Sequence, residues 1–484
     1  MKLRELIRDT DIRVFDKYVD LNTDISSVTC DSKKVLPGGA FVCVAGLNQD
    51  GHSFIGEAVS RGAGLIVISD PAAVDAVRNL PVNSVITSKA RRSAAIMWSN
   101  LCGRPAKKLK IFAVTGTNGK TTVTNMLASI YRHYGAKTDV IGTLTGKLTT
   151  PDPEELYPLL KKMHDSGITH VFMEASSHAL ALDKLAPVKP NYGIFTNLTP
   201  EHLDFHGTME NYFLAKKSLF DMCRVGILNY DDQYSRRIIG SVSAETVTFS
   251  ANSDEADFYA SNIKLLGAGG IDYELRTASR MARIRSVIPG NFTVFNTLAA
   301  ASCAFYDGLP SDAVRNAITA FRGVKGRLER IPLPHNDFSV YIDFAHTPDA
   351  LENMLRAVRG FILPGTKLTV LFGCGGDRDP SKRKVMGTIA SRLADFVIVT
   401  SDNSRSEKPS DIICEILKGV DKEKPHVVIE NRKEAIRYAI QNAEKGECII
   451  LSGKGHEEYE MNSEGCFPFS EREIVLECVK ELGM

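Results

Sequence analysis

The run Ala113-Val114-Thr115-Gly116-Thr117-Asn118-Gly119-Lys120-Thr121-Thr122 has the residue types of a phosphate-cradling loop. Lys110-Ile111-Phe112-Ala113-Val114 reads as a short buried strand. The stretch from Thr122 to His133 carries Val123, Met126, Leu127 and Ile130 at helical spacing. Main-chain N–H groups at such a strand-turn-helix junction point at phosphate oxygens, and the helix dipole favours their charge. In this reading Lys120 offsets the charge of the outer phosphates and the Thr121 hydroxyl ligates magnesium. The usual loop has a Gly five residues before Gly119, where this chain has Val114, so the loop is a shortened one. An ordinary glycine-rich turn is the competing reading, and the strand and helix on either side argue against it.

Two further clusters follow strand-like runs. Glu174-Ala175-Ser176-Ser177-His178 and Thr199-Pro200-Glu201-His202-Leu203-Asp204-Phe205-His206-Gly207 gather carboxylates and imidazoles. Oxygen donors of this kind suit magnesium better than zinc, and no cysteine spacing suggests a sulfur site. One histidine alone is more often a hydrogen-bond partner than a ligand; the company of Glu174 favours a ligand role for at least one of His178, His202 and His206. Later in the chain come Tyr341 to Asp349, Gly373-Cys374-Gly375-Gly376-Asp377-Arg378-Asp379, Ser401-Asp402-Asn403-Ser404-Arg405 and Ser452-Gly453-Lys454-Gly455-His456-Glu457. They combine guanidinium, carboxamide and carboxylate groups, the mixture a zwitterionic substrate requires, because Arg pairs with carboxylate while Asp and Glu accept from ammonium. Cys374 reads as a small apolar filler.

These clusters need strands to hold them. Ala40–Val44 and Gly64–Ile68 are strand-like runs in a first block, which closes at a polar hinge, Arg104-Pro105-Ala106-Lys107-Lys108. His170–Glu174, Tyr192–Thr196 and Val225–Leu228 are continuous apolar runs typical of parallel strands buried on both faces. A second polar junction, Arg322 to Arg327, precedes Leu368–Phe372, Phe396–Val399, His426–Ile429 and Cys448–Leu451. The fold class is therefore α/β in three domains. A smaller N-terminal α/β domain spans 1–106, a central phosphate-loop domain with a doubly wound, mostly parallel sheet spans 107–326, and a Rossmann-like α/β domain spans 327–484. Length agrees, since 484 residues exceed one ordinary core. Hydrophobic content of 43% and charged content of 24% are those of a soluble globular chain. A net charge of +1 gives no reason to expect nucleic-acid binding, and no apolar run has the length of a membrane span. The N-terminal residues lack the pattern of a secretory signal, and the 10 cysteines have no paired metal spacing; both point to the cytoplasm.

Taken together, seven motifs in order resemble those of the Mur ligases, the ATP-dependent enzymes that build the peptide of bacterial cell-wall precursors. They are Asp31 to Gly38 with Asp50-Gly51-His52, Thr115 to Thr122, Met173 to Leu180, Asn197 to Lys216, Asp343 to Asp349, Gly373 to Asp379, and Gly453 to Glu457. Within the family the chain most resembles members that add the third peptide residue. The resemblance implies that ATP meets Gly116, Thr117, Asn118, Gly119, Lys120, Thr121, Thr122, Asn296, Arg327 and Asp343, with His346 supporting the Asp343 loop. It implies that Ser32, Thr149, Thr150 and Ser177 contact UDP-N-acetylmuramoyl-L-alanyl-D-glutamate. The incoming meso-diaminopimelate falls to Arg383, Asp402, Asn403, Ser404, Arg405, Gly453 and Glu457. Thr121, Glu174, His202 and Lys216 form the implied metal set for magnesium. Lys216 enters it as a carbamate made with carbon dioxide, and Lys120, Glu174, His202 and Lys216 are the implied catalytic residues. A monomer is expected.

The implied reaction is amide formation. The D-glutamate side-chain carboxylate attacks the terminal phosphate of ATP, and the amine of the third residue displaces phosphate from the acyl phosphate. Some positions depart from the family pattern: Ser404 stands for the usual Pro, Pro200 for Arg, Phe344 for Tyr and Glu460 for Gln. The first leaves open the same ligation with L-lysine or another diamino acid. Folate polyglutamylation would leave the first block and Asp402 to Arg405 unexplained. From another class, a nucleotide-hydrolysing phosphate-loop switch shares the same loop.

Overall fold

The computed structural model describes residues 1–14, 19–46, 49–146, 148–334 and 337–483. The chain divides into two compact units, one of residues Met1–Tyr259 with Leu298–Val314, the other of Ala260–Thr297 with Arg315–Met484.

In the first unit a small sheet runs Val28–Thr29, Ala40–Val42, Leu65–Ile68 and Asn83–Ile86 in spatial order, with every pairing parallel. The larger sheet includes, in order, Glu245–Ser250, Val225–Asn229, Tyr192–Phe195, Lys110–Thr115, His170–Glu174 and Thr138–Ile141, with every pairing among these six parallel. Its central strand, Lys110–Thr115, lies between strands that come later in the chain, the topology that opens a crevice at the carboxyl ends of the strands. Register brings Val114 opposite Glu174 and Thr115 opposite Phe195, so the phosphate loop emerges between the two polar clusters. The helix after the loop, Lys120–His133, buries Val123, Met126, Leu127 and Ile130, the face the sequence spacing indicates. It begins two residues before the expected Thr122, because Gly119 at φ 88° makes the turn and Lys120 already enters the helix.

One expectation is corrected here. The segment Arg104 to Lys108 is not a free polar hinge: Arg104 turns the chain at φ 57°, and a 3-10 helix, Pro105–Lys108, follows with Pro105 and Ala106 buried. Ala106 joins the core formed by Leu156, Tyr157 and Leu160 of the helix Pro153–Asp165. The two lysines give the sequence a polar look while the apolar pair does the packing.

In the second unit a sheet has the order Glu329–Arg330, Ser339–Asp343, Cys448–Ser452, Leu368–Phe372, Phe396–Val399, His426–Val428. Only its first strand is antiparallel. The apolar runs are continuous because both faces are covered. Val370, Phe372 and Val399 pack with Leu351, Met386 and Ile412 on one side, while Leu371, Ile398 and Leu451 pack with Ile436, Ile440 and Val475 on the other. Two antiparallel hairpins, Ile271–Arg276 with Met281–Ser286 and Tyr459–Asn462 with Gly465–Pro468, are additions to the expected pattern. Among the described residues no helix is long and apolar enough to cross a membrane.

Candidate active site

The phosphate loop is fastened to the strand end beside it. Thr117 N donates to Asn197 O at 2.9 Å, Asn118 N donates to Asn197 Oδ1 at 2.9 Å, and Thr196 Oγ1 donates to Asn118 O at 2.6 Å. Gly116 sits at φ 144° with its α-carbon facing the Thr196 hydroxyl so closely that a Cβ would overlap it. Val114, where the longer pattern has Gly, is a buried member of the strand, so the loop starts only after it. Lys120 Nζ donates to the carbonyls of Gly116 at 2.9 Å and Thr117 at 2.8 Å, which holds its charge over the loop, and Thr122 follows in the first turn of the helix.

Glu174 closes the neighbouring strand with 1% exposure. Its Oε2 accepts from Thr121 Oγ1 at 3.0 Å and Thr143 Oγ1 at 3.3 Å, while Oε1 accepts from Thr143 N at 2.9 Å. Thr149 Oγ1 lies 3.1 Å from Thr143 Oγ1, and Thr150 Oγ1 donates to Glu174 O at 2.8 Å. Ser177 Oγ is 2.9 Å from His206 Nε2. The structure thus brings Thr121, Thr149, Thr150 and Glu174 into one cluster, while Ser177 pairs with His206. The His178 ring stands 4.8 Å from His202 and 5.5 Å from His206. Burial lowers the pKa of all three, and that of His206 falls to about 4, with the neighbouring imidazoles adding to the effect.

Magnesium fits the donor chemistry of this cluster, because a hydroxyl and a buried carboxylate already lie in contact at Thr121 and Glu174. Among the described residues no three His, Cys, Asp or Glu side chains are grouped to hold a metal. His202 lies instead 3.7 Å from Glu201, with φ 57°. Phosphate oxygens and water would have to complete a magnesium shell. Lys216, on the helix Met209–Lys217, is 1% exposed and donates to Gly116 O at 2.7 Å. Burial first, and the charge of Lys120 second, pull its pKa well below the ordinary lysine value. Lys217 points elsewhere and pairs with Asp221 at 3.2 Å.

Ser32 lies in the small sheet's loop region, buried, and donates to Glu57 Oε2 at 2.6 Å. The neighbouring residues Cys30, Asp31 and Lys34 line a cavity of about 310 Å³ together with Arg91, Trp98 and Lys184. Neither Arg91 nor Lys184 stood out in the sequence, since Arg91 is one of several cations at a helix start and Lys184 is a single cation in a turn. His52 is a loop fastener: its Nε2 accepts from Ser69 N at 3.0 Å and Asp70 N at 3.2 Å.

In the second unit Asn296 is buried on the helix Asn291–Tyr306. Asp343 ends its strand and accepts from Leu328 N at 2.7 Å and Ala345 N at 2.9 Å; burial raises its pKa, with Arg327 opposing. The Arg327 guanidinium stands 4.9 Å from the Phe344 ring centre, and His346 Nδ1 lies 2.8 Å from Phe344 O. The remaining residues converge beyond Phe396–Val399 and Cys448–Ser452. Asn403 Nδ2 donates to Glu457 Oε2 at 2.8 Å, Lys454 Nζ donates to Asn403 Oδ1 at 2.9 Å, and Lys454 Nζ is 3.6 Å from Asp402 Oδ1. Burial opposes ionisation of Asp402, yet Arg432 and Lys454 hold its pKa below the usual value; burial and Asp402 together raise that of Glu457. Gly453, at φ 118°, passes so near Asp402 that an added Cβ would lie 2.7 Å from Oδ2. Ser404 is buried, and Arg405, at φ 53°, donates to Gly376 O at 2.6 Å.

Arg383 is held by two carboxylates. It is buried between Glu407 at 2.8 Å and Glu415 at 3.0 Å, and Glu407 in turn accepts from Asp377 N at 2.6 Å. As placed, its guanidinium braces the loop Gly373 to Asp379. Cys374 is buried with Sγ 3.7 Å from Met386 Sδ, and burial pushes its thiol up to about 12, consistent with a filler.

A model of the Mur ligase middle domain matches residues 114–304, one of the Mur ligase glutamate ligase domain matches 326–455, and one of the Mur ligase family catalytic domain matches 24–99. The chain is 39% identical, in an alignment of length 493 that covers 100% of both chains, to the UDP-N-acetylmuramoyl-L-alanyl-D-glutamate--2,6-diaminopimelate ligase 1 of Clostridium acetobutylicum. The chain belongs to the Mur ligase family. A second relative of this Mur ligase, from Geobacillus kaustophilus and named as the same type of ligase, is 40% identical over 96% of each chain. Among solved structures, one of a UDP-N-acetylmuramoyl-L-alanyl-D-glutamate--2,6-diaminopimelate ligase aligns with TM-score 0.71 and 27% identity, covering 100% of this chain and 99% of the other. The MurF ligase of Thermotoga maritima in complex with ADP shares the fold, with TM-score 0.58 at 18% identity over 94% of this chain and 98% of that one.

Proposed function

We propose that this Mur ligase joins meso-2,6-diaminopimelate to the D-glutamate of UDP-N-acetylmuramoyl-L-alanyl-D-glutamate, at the expense of ATP. One observation carries the reading: beyond two strands that flank Leu368–Phe372, Arg405 donates to Asn403 O at 3.4 Å and Asn403 Nδ2 donates to Glu457, so a guanidinium and a carboxylate belong to one network. A diaminopimelate offers a carboxylate and an ammonium at its far end, where lysine offers an ammonium alone. Arg pairs bidentately with the former. Relatives bearing the name of this activity run the full length of the chain.

The chemistry that follows is mostly positioning and electrostatics. The loop amides of Gly116 to Thr122 hold the triphosphate and Lys120 offsets charge on its outer oxygens. An oxygen of the D-glutamate side chain bonds to the terminal phosphorus as the bridging bond to ADP breaks. The amine of the diamino acid then bonds to the acyl carbon, phosphate leaves, and the new amide nitrogen sheds its proton. Bound magnesium would add charge neutralisation on the phosphates, with Thr121 and Glu174 as its protein donors and His202 nearby. Burial disfavours the charged form of Lys216, and carbon dioxide reacts with the uncharged amine; a carbamate there would supply oxygen donors in place of an ammonium. Thr149, Thr150 and Ser177 hold the peptide beside Glu174, Ser32 lies on the uridine side, and Asn296, Arg327 and Asp343 receive the nucleoside. Asp402, Ser404, Gly453 and Arg383 shape the amino-acid site. In this reading the three domains are 1–106, 107–326 and 327–484, and the enzyme is a cytoplasmic monomer.

Ser404 favours a second reading, L-lysine as the added residue, because the turn lacks the proline that would pre-set it. The purified enzyme, given ATP and the nucleotide-linked dipeptide with either amino acid, separates the two. We expect kcat/KM for meso-diaminopimelate to exceed that for lysine by about tenfold or more. The reverse order would assign the enzyme to lysine.

A further inference from the structure

Arg432 opens the helix Arg432–Gln441 and is completely enclosed, with 1% exposure. Its three nitrogens are all used. Nη1 donates to Ser401 O at 3.1 Å, Nη2 to Ser452 O at 2.8 Å, and both Nε and Nη2 to Glu471 Oε1, at 2.9 and 2.7 Å. Ser452 ends the strand Cys448–Ser452, and Ser401 follows the strand Phe396–Val399. These strands are not neighbours: Leu368–Phe372 lies between them. Strands two places apart stand about 10 Å from each other, so the loops beyond them have no sheet hydrogen bonds to set their separation. One guanidinium fork supplies that link, and the two residues it joins are each followed at once by amino-acid-site residues, Asp402 and Gly453. An ideal Cβ on Gly453 would lie 4.0 Å from Arg432 Nη2, so the fork sits directly against that turn.

Packing alone does not call for this arrangement. Burying an ion pair costs several kcal/mol of desolvation per charge, and apolar residues of similar volume commonly serve a fold as well or better. Glu471 is itself 3% exposed, at the first turn of the helix Glu471–Glu481, where the helix dipole favours its charge and Ser470 caps the end. It leaves Oε2 without a partner and spends Oε1 on two Arg432 nitrogens. A rigid, fully committed fork between two main-chain carbonyls is suited to fixing distance. The distance it fixes is the one across which Asn403 reaches Glu457 and Lys454 reaches Asp402.

We propose that Arg432, oriented by Glu471, is a positioning residue for amino-acid recognition: it sets the spacing between the turn 401–405 and the loop 453–457. This rests on the reading of those loops as the amino-acid site. The experiment measures KM for the diamino acid, for ATP and for the nucleotide-linked dipeptide in wild type, Arg432→Lys and Glu471→Gln. Lysine keeps the charge but a single ammonium cannot bridge both carbonyls; glutamine keeps the shape and the acceptor while losing the charge. Arg432→Lys is expected to raise KM for the diamino acid about tenfold, with both other KM values within about twofold of wild type. Glu471→Gln is expected to raise the same constant about threefold and alone carries the test where Arg432→Lys gives no cooperative thermal transition. Unchanged diamino-acid KM in the folded variants, or a parallel rise in all three constants, would overturn the proposal. Wild type whose ADP release ignores the diamino acid would remove the functional reading itself, whereas coupled wild type with unmoved variants would remove only the clamp.

Discussion

A lysine shut away from water is a poor cation and a good nucleophile, and Lys216 is shut away almost completely while Lys217, one residue on, pairs with an aspartate near solvent. The sequence distinguishes these two neighbours only through the family motif; their difference in burial arises because Lys216 shares a helix face with Tyr212 and reaches Gly116, while Lys217 does not. Carbon-13-labelled bicarbonate is therefore expected to give a carbamate NMR signal that Lys216→Ala abolishes and Lys217→Ala retains. The same Lys216→Ala variant should lower kcat by about a hundredfold or more, the scale of losing one electrostatic group at a reacting centre. A signal surviving in Lys216→Ala would place the modification elsewhere. Residue types revealed Glu174, Lys120 and Arg405 because charged groups after apolar runs are conspicuous. Thr143 and Thr196 stayed hidden, being ordinary threonines whose importance comes from what folds against them. Arg432 was equally silent, since its partners lie 20 to 39 residues away in sequence.

At the scale of elements, the strands read from apolar runs have ends within two residues of those observed, because parallel strands covered on both faces are written as unbroken apolar runs, whereas Ser339–Asp343, which ends in Asp343, reads in the sequence only as part of a polar cluster. His170–Glu174, Leu368–Phe372 and Phe396–Val399 agree residue for residue. Less legible were segments whose role depends on distant partners: the packed turn Pro105–Lys108 and the two antiparallel hairpins. The turn from strand to phosphate loop yields a direct test. Gly116 combines a positive φ with a Cβ position already taken by the Thr196 hydroxyl, so Gly116→Ala must displace either the loop or the strand end that anchors it. Its expected cost is about 1–3 kcal/mol of stability by denaturant titration, with loss of measurable ATP binding. Wild-type ATP affinity in that variant would show that the loop does not need its observed path.

For the whole molecule the question is coupling. An acyl phosphate is wasted if water reaches it, so a ligase gains by consuming ATP only when acceptor and amine are both bound. A phosphate-loop switch has no such requirement. Each compact unit carries its own candidate residues: Lys120, Glu174 and Lys216 in one, Asp343, Arg405 and Glu457 in the other. Motif order along the chain made the family readable from the sequence, although each motif by itself is weak. The most direct measurement follows ADP release and the mass of the nucleotide-linked peptide in one reaction. With ATP, UDP-N-acetylmuramoyl-L-alanyl-D-glutamate and meso-diaminopimelate present together, one ADP should appear for each peptide lengthened by one residue, and omission of either acceptor or amine should suppress both. Sustained ADP release without a lengthened peptide, whichever diamino acid is supplied, would contradict the account.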